Sequence, residues 1–381
     1  MSEYSVPLFE LNFGEEEAEA VSAAVRSGWI SMGPRVAEFE ERFSAELSVK
    51  HAVAVSSCTA ALHLAIAMLV KEGDEVILPS MTFVATANAV RYAGARPVFA
   101  DVVSHHDLSI DPVDVANKIT ARTKVILPVH YGGFACDMAL LRDIATKNNL
   151  HIVEDAAHAP RSWHKDERCG TIGDIGCFSF FSNKNITSAE GGMLVTNNDA
   201  FAARARLMRS HGMTTVSYDR ASGHATSYDV VEMGYNYRLD DIRAALGLTQ
   251  LSKLASDVET RRDLRQHYED SLLRIDEIVV PYYESPHLSS NYILPVILSA
   301  GGAGRRDAVR KSMADRGIQT SIHYPAVHRF STYRDDATSL PTTEYVADNE
   351  ITLPLFTSMT VEQIDEVTKA LSQALRDNPS H

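Results

Sequence analysis

The chain has 381 residues and is 45% hydrophobic, which is enough for a large core and longer than one typical domain. Its 36 Lys+Arg against 50 Asp+Glu give a formal net charge of -14, and no basic block forms a nucleic-acid footprint. Met1 to Pro7 lack the basic and apolar regions of an export signal, and no run approaches the ~18 apolar residues of a membrane span. Neither nucleic acid nor a membrane is therefore an expected partner, and a cytoplasmic location is expected.

From His51 to Thr196 short β-branched runs alternate with amphipathic stretches, the pattern of an α/β domain with a largely parallel sheet. The expected strands are 52–55, 75–78, 96–99, 124–128, 151–154, 177–181 and 192–196. Helices are expected over 59–70, 84–92 and 137–148, the last opening on Asp137, a good N-cap. Helices 199–210 and 239–260 follow, the second long enough to cross from one region of the chain to another. A boundary there divides a large unit, 1–250, from a smaller α+β unit, 251–381. The smaller unit is expected to hold 291–298, a helix over 305–316, a short strand 319–323 and a final helix 361–375. The polar stretch from Thr214 to Thr226 is expected to be a mobile loop.

Four cysteines, Cys58, Cys136, Cys169 and Cys177, are too sparse for a secreted disulfide framework and fit a reducing compartment. Cys169 and Cys177 have a spacing also found among iron-sulfur ligands. The other two cysteines do not complete such a set, so buried structural thiols are expected and no metal is assigned.

Lys184 ends the apolar run Gly176 to Phe181 plus a short turn and is followed by Glu190-Gly191-Gly192 and a second apolar run. A strand that delivers a lysine to a sheet edge can hold its amine partly desolvated, and the neutral amine is the form that attacks a carbonyl to give a Schiff base. By itself such a lysine reads more readily as a solvated loop residue or one snorkelling from an edge. The first strand runs into Ser56-Ser57-Cys58-Thr59, where helix N-terminal amides can face a phosphate, or where Ser or Thr simply caps a helix. No Walker loop and no Gly-x-Gly-x-x-Gly follows a strand, so a single phosphate fits better than a nucleotide. The fifth strand ends in Glu154-Asp155, at the sheet edge where α/β sites form. A buried Asp155 there can keep a pyridine nitrogen protonated, although either carboxylate can instead cap the next helix. His158 reads as a core histidine or as a cofactor neighbour.

Taken together, these residues resemble the DegT/DnrJ/EryC1/StrS sugar aminotransferases, a branch of the fold-type I pyridoxal-phosphate enzymes. The resemblance covers nearly the whole chain. It runs through Gly28-Trp29-Ile30-Ser31-Met32-Gly33-Pro34, Gly73-Asp74-Glu75-Val76, Thr82-Phe83, Pro128-Val129-His130-Tyr131-Gly132, Glu154-Asp155-Ala156-Ala157, Gly173-Asp174-Ile175-Gly176, Gly234-Tyr235-Asn236-Tyr237 and Gly317-Ile318-Gln319 to Tyr324. It implies an α/β fold with a mostly parallel seven-stranded sheet, and Lys184 as the residue that binds the cofactor covalently. Asp155 becomes the partner of the pyridine nitrogen and Phe83 the ring stacked on the cofactor. Cys58, Thr59 and Ser179 fall around the phosphate, His158 beside the cofactor, and His323 and Tyr324 near the substrate entrance. Asn236 is implied to reach the phosphate of the neighbouring subunit, hence a homodimer with shared sites. His158 stands where many relatives have Gln, and Ala189 where many have Gly.

The activity implied is transfer of an amino group, from L-glutamate, to a keto group of a nucleotide-linked deoxysugar. Three other readings stay open at this point. A transaminase of a non-nucleotide keto substrate, such as a keto-inositol, carries the same motifs. A dehydratase with the same cofactor would replace the lysine by His, which Lys184 opposes. A non-catalytic regulator would be expected to erode the cofactor residues, and these are present.

Overall fold

The computed structural model describes residues 4–215, 227–283, 285–335 and 338–380. The polar loop expected over 214–226 lies outside the described residues from 216 onward.

Two helices, α1 (Glu15–Arg26) and α2 (Pro34–Leu47), precede the sheet. Pro34 occupies the first turn of α2, where its missing N–H costs nothing. The strands of the main sheet are β1 (His51–Val55), β2 (Glu75–Pro79), β3 (Arg96–Ala100), β4 (Thr123–Ile126), β5 (His151–Asp155), β8 (Ile175–Ser179) and β9 (Gly192–Thr196). A two-residue ribbon, β6 (Trp163–His164) with β7 (Glu167–Arg168), interrupts the series. Among the described residues the sheet order is β1-β9-β8-β5-β4-β2-β3. Only β9 is reversed, pairing antiparallel with β1 and β8, while the other neighbours are parallel.

Alternate side chains of the strands enter different cores. Val53, Val55, Leu78, Val125, Val153 and Cys177 pack under α3 (Cys58–Leu69), α4 (Val84–Tyr92) and α7 (Asp199–Met208). Ala52, Ala54, Phe178 and Met193 pack on the other face against α2 and the long helix Asp241–Leu272. Also on that face, Ile77, Ile126 and Ile152 meet α6 (Met138–Asn148) and the short α5 (Pro112–Asn117). A sheet covered on both faces explains why its strands read as near-continuous apolar runs.

The helix expected over 239–260 runs to Leu272, 32 residues in all. Its second half looks polar in sequence because Arg261, Arg265 and Glu269 are internal. Arg265 Nε donates to Glu269 at 2.7 Å, and Arg261 donates to the Leu355 carbonyl at 3.0 Å. Ala244 and Leu254 of this helix join the large core, whereas Leu264, Tyr268 and Leu272 join a second core. That second core is built on β10 (Ile278–Val279), β11 (Leu294–Leu298) and β12 (Glu350–Leu353), an antiparallel sheet of order β10-β11-β12. Helices Gly302–Ala314 and Val361–Asp377 cover it. We propose that the division between the two units falls along the long helix, near residue 250. The strand expected over 319–323 is a correction. This segment pairs only through isolated bridges, Val6 to Ile318 and Ser321 to Thr352, because its end turns into the wall of the cavity described next.

Candidate active site

Strands β1, β2, β5 and β8 all end at one edge of the sheet, and the reversed β9 begins there. In α/β proteins this edge is where ligands bind. A cavity of about 470 Å³ opens at it, and its lining includes Cys58, Thr59, Phe83, Asp155, His158, Ser179, Lys184, His323 and Tyr324.

Helix α3 starts where β1 ends. Ser57 caps it by accepting from the Ala60 N–H at 3.1 Å, which leaves the Cys58 and Thr59 N–H groups as first-turn donors without intrahelical acceptors. The helix dipole adds positive character at this spot. Gly192 makes room beside it, because a Cβ there would collide with the Ser57 carbonyl carbon and the Cys58 nitrogen. Burial pushes the Cys58 thiol well up, so it faces the cavity as a neutral group.

Strand β8 ends at Ser179, two residues before the expected end at Phe181. After one further bond, Phe180 N–H to the Gly191 carbonyl at 2.9 Å, the chain turns and the Lys184 N–H closes on the Phe181 carbonyl at 3.0 Å. Phe181 is thereby turned outward, 44% exposed, and Lys184 is placed at the cavity. Its Nζ lies 4.1 Å from the centroid of the Tyr292 ring, a cation–π contact when the amine is charged. The Tyr292 hydroxyl donates to Asn183 Oδ1 at 3.1 Å, which ties the ring to the lysine's own turn.

At the end of β5, Asp155 is 4% exposed. Its oxygens accept from the Thr86 hydroxyl at 2.8 Å and from the Ala157 N–H at 3.1 Å. Burial raises its pKa above the ordinary carboxylate value, while these two bonds and the charges of Lys184 and His130 pull it down. A cation placed against Asp155 would offset that burial cost. Glu154 turns the other way. It accepts from the N–H groups of Gly170, Ile172 and Gly173 at 2.6 to 2.7 Å and from His130 Nε2 at 2.8 Å, so it fastens a loop and takes no part in the cavity.

Phe83 caps α4 with its ring 57% exposed at the cavity mouth, 5.8 Å from the ring of Tyr324. His323 and Tyr324 come from the smaller unit. The His323 carbonyl accepts from the Tyr131 hydroxyl, and its Nδ1 is 2.8 Å from the Thr352 hydroxyl. Burial and the Lys184 charge push the His323 imidazole down to about 3, so it is neutral. Asn236 is exposed and does not line the cavity of its own chain. Thr86, Tyr131 and Tyr292 were not expected. Thr86 had a signal in the Thr82/Thr86 spacing of four, one helical turn. Tyr292 follows Lys184 by more than a hundred residues and had none. The four cysteines are buried and unpaired.

A helix N-terminus, a buried carboxylate, an amine and an exposed aromatic face converge on one cavity. That set fits a phosphorylated pyridine aldehyde and defines the class as a pyridoxal-phosphate enzyme of the α/β transferase fold. The model of the DegT/DnrJ/EryC1/StrS aminotransferase family matches residues 12–372, and the chain belongs to that family. It is 36% identical to the spore coat polysaccharide biosynthesis protein SpsC of Bacillus subtilis, over 98% of this chain and 97% of that one. The fold matches the putative sugar aminotransferase Spr1654 of Streptococcus pneumoniae in its PMP form with a TM-score of 0.92, at 28% identity, over 98% of this chain and 100% of the other. It matches DesI, solved in the presence of its TDP-sugar product, with a TM-score of 0.87, at 30% identity, over 99% and 95%. The protein is a pyridoxal-phosphate-dependent sugar aminotransferase. No helix among the described residues is long and apolar enough to cross a membrane.

Proposed function

We propose that the chain transfers an amino group from L-glutamate to a keto carbon of a nucleotide-linked deoxysugar. The observation that carries this reading is the convergence of Lys184, Asp155 and the start of α3 on one cavity. The likeness to DesI, solved with a TDP-sugar, supports a nucleotide-linked substrate.

When bound, pyridoxal phosphate supplies the electron sink that makes the substrate carbon acidic. The Cys58 and Thr59 N–H groups, with Ser179, would hold its phosphate, and Phe83 and His158 would flank its ring. Asp155 would keep the ring nitrogen protonated through an ion pair in a buried setting. Lys184 would hold the cofactor at rest. Once released, its Nζ would carry the proton from the amine-bearing carbon of the donor to the cofactor, and in the second half-reaction would carry a proton from the cofactor to the sugar carbon. The two half-reactions share one site, so ping-pong kinetics follow.

The reading extends to a cytoplasmic homodimer with shared sites. Asn236 is exposed outside its own cavity, and Val230, Val231 and Met233 beside it are exposed apolar side chains that a second copy would cover. The function is tested by incubating the purified holoenzyme with L-glutamate and nucleotide-linked 3-keto and 4-keto sugars, with NMR locating the new amine. An amine on the sugar carbon is expected. Turnover only with a keto-inositol would replace the nucleotide sugar by a free cyclitol.

A further inference from the structure

Two hydrogen bonds to His158 fix where its proton sits. The Gly132 N–H donates to His158 Nδ1 at 3.3 Å, and a ring nitrogen that accepts carries no hydrogen. The imidazole is 4% exposed, and burial, with the nearby Lys184 and His323, holds its pKa well below the ordinary value, so the ring is neutral. A neutral imidazole has one N–H, which must then be on Nε2. That nitrogen is 3.1 Å from the Tyr324 hydroxyl oxygen. The bond therefore runs from His158 to Tyr324, and the hydroxyl's own hydrogen is left over. No acceptor for it is found among the described residues. Burial keeps the phenol protonated, with Tyr292, Asp155 and Glu350 acting in the same direction. Tyr324 lines the cavity that holds Lys184.

We propose that the chain Gly132 to His158 to Tyr324 sets Tyr324 as a one-way hydrogen-bond donor to an acceptor oxygen of the bound reactant, with His158 as the positioning residue. The oxygen is the carbonyl of the keto substrate or a carboxylate oxygen of the amino donor. The proposal rests on the cavity being the transamination site. A glutamine at this position would preserve both bonds, because an amide also accepts through its oxygen and donates through its nitrogen. Leucine does neither.

The test has two arms. In holoenzyme labelled with ¹⁵N-histidine, NMR should find the His158 proton on Nε2 and none on Nδ1. A proton on Nδ1, or on both nitrogens, would overturn the proposal, and this arm needs no substrate. In the second arm, single-turnover rates and apparent affinities are measured separately for L-glutamate and for a nucleotide-linked keto sugar. The variants are Tyr324→Phe, His158→Gln, His158→Leu and the Leu/Phe double variant, each checked for cofactor content by absorbance. Tyr324→Phe should lower efficiency about tenfold in the half-reaction whose oxygen it meets. His158→Leu should match it, the double variant should be no worse than either single one, and His158→Gln should stay within about threefold of wild type. Additive losses, no effect of Tyr324→Phe in either half-reaction, or a Gln variant as poor as Leu would each sink the idea. Wild type that fails to aminate the keto sugar refutes the proposed substrate instead, and the glutamate arm still reads the donor.

Discussion

Glu154 and Asp155 are neighbours on one strand, both buried, with opposite surroundings. Glu154 faces the loop 170–173 and accepts four hydrogen bonds, three from backbone N–H groups and one from His130. Asp155 faces the cavity and accepts two, from Thr86 and Ala157. A carboxylate has about four acceptor sites, so Glu154 is filled by the protein itself and Asp155 keeps capacity for a ligand. A saturated buried carboxyl group holds structure, whereas an unsaturated one at a sheet edge is held ready for chemistry. Glu350, on the smaller sheet behind His323, is a third case. It accepts from the His323 N–H and the Thr352 hydroxyl, and burial pushes its pKa up to about 8.

Three substitutions put this contrast to work. Asp155→Asn should retain cofactor, as read from absorbance, yet slow both half-reactions by about 100- to 1,000-fold, since an amide cannot stabilise a protonated ring nitrogen as a carboxylate does. Rates near wild type in single-turnover measurements would reduce Asp155 to a helix cap. Glu154→Gln should do the reverse. Its amide NH₂ would face backbone donors, so stability in urea titrations should fall by about 2 to 3 kcal/mol while the folded enzyme keeps turnover within about threefold.

The smallest effect is expected at Glu350. A carboxyl group whose folded pKa is raised keeps its proton when the unfolded chain has lost it. Its contribution to stability is therefore full below about 4.5 and is lost as pH rises through about 8. Glu350→Gln stays neutral, and its amide can accept from His323 N–H while donating to Thr352. Relative to wild type, the variant should gain about 2 kcal/mol between about pH 6 and about pH 8.5. An unchanged difference across that range would show that Glu350 ionises normally.

The same contrast explains what could be read from sequence. The sheet-edge residues lie in short local motifs, and Lys184, Asp155, Phe83 and the start of α3 could be placed because each follows a strand within a few residues. The distinct surroundings of Glu154 and Asp155 were not legible. They depend on residues 170–173 packing beside β5 and on Thr86 arriving from α4. The far wall was harder still. Tyr292 and Tyr131 reach the site through contacts more than a hundred residues long and Thr352 through one of 29, and no local period marks them. The motif around Tyr131-Gly132 was visible without a role, and its role is to hold the His323 carbonyl and His158 Nδ1. The second half of the long helix was missed because its buried arginines read as solvent-facing. The strand expected over 319–323 does not form because the hydrogen bonds of this segment are divided between Val6 and Thr352.

The placement of Lys184 at the head of the cavity is the central claim, and borohydride reduction of the purified holoenzyme tests it most directly. Reduction fixes the cofactor to whichever amine holds it, and peptide mass spectrometry then locates the added mass. The account predicts the adduct on Lys184, with neither adduct nor visible absorbance band in Lys184→Ala. An adduct on any other lysine, or a Lys184→Ala protein that still binds cofactor covalently, would contradict it.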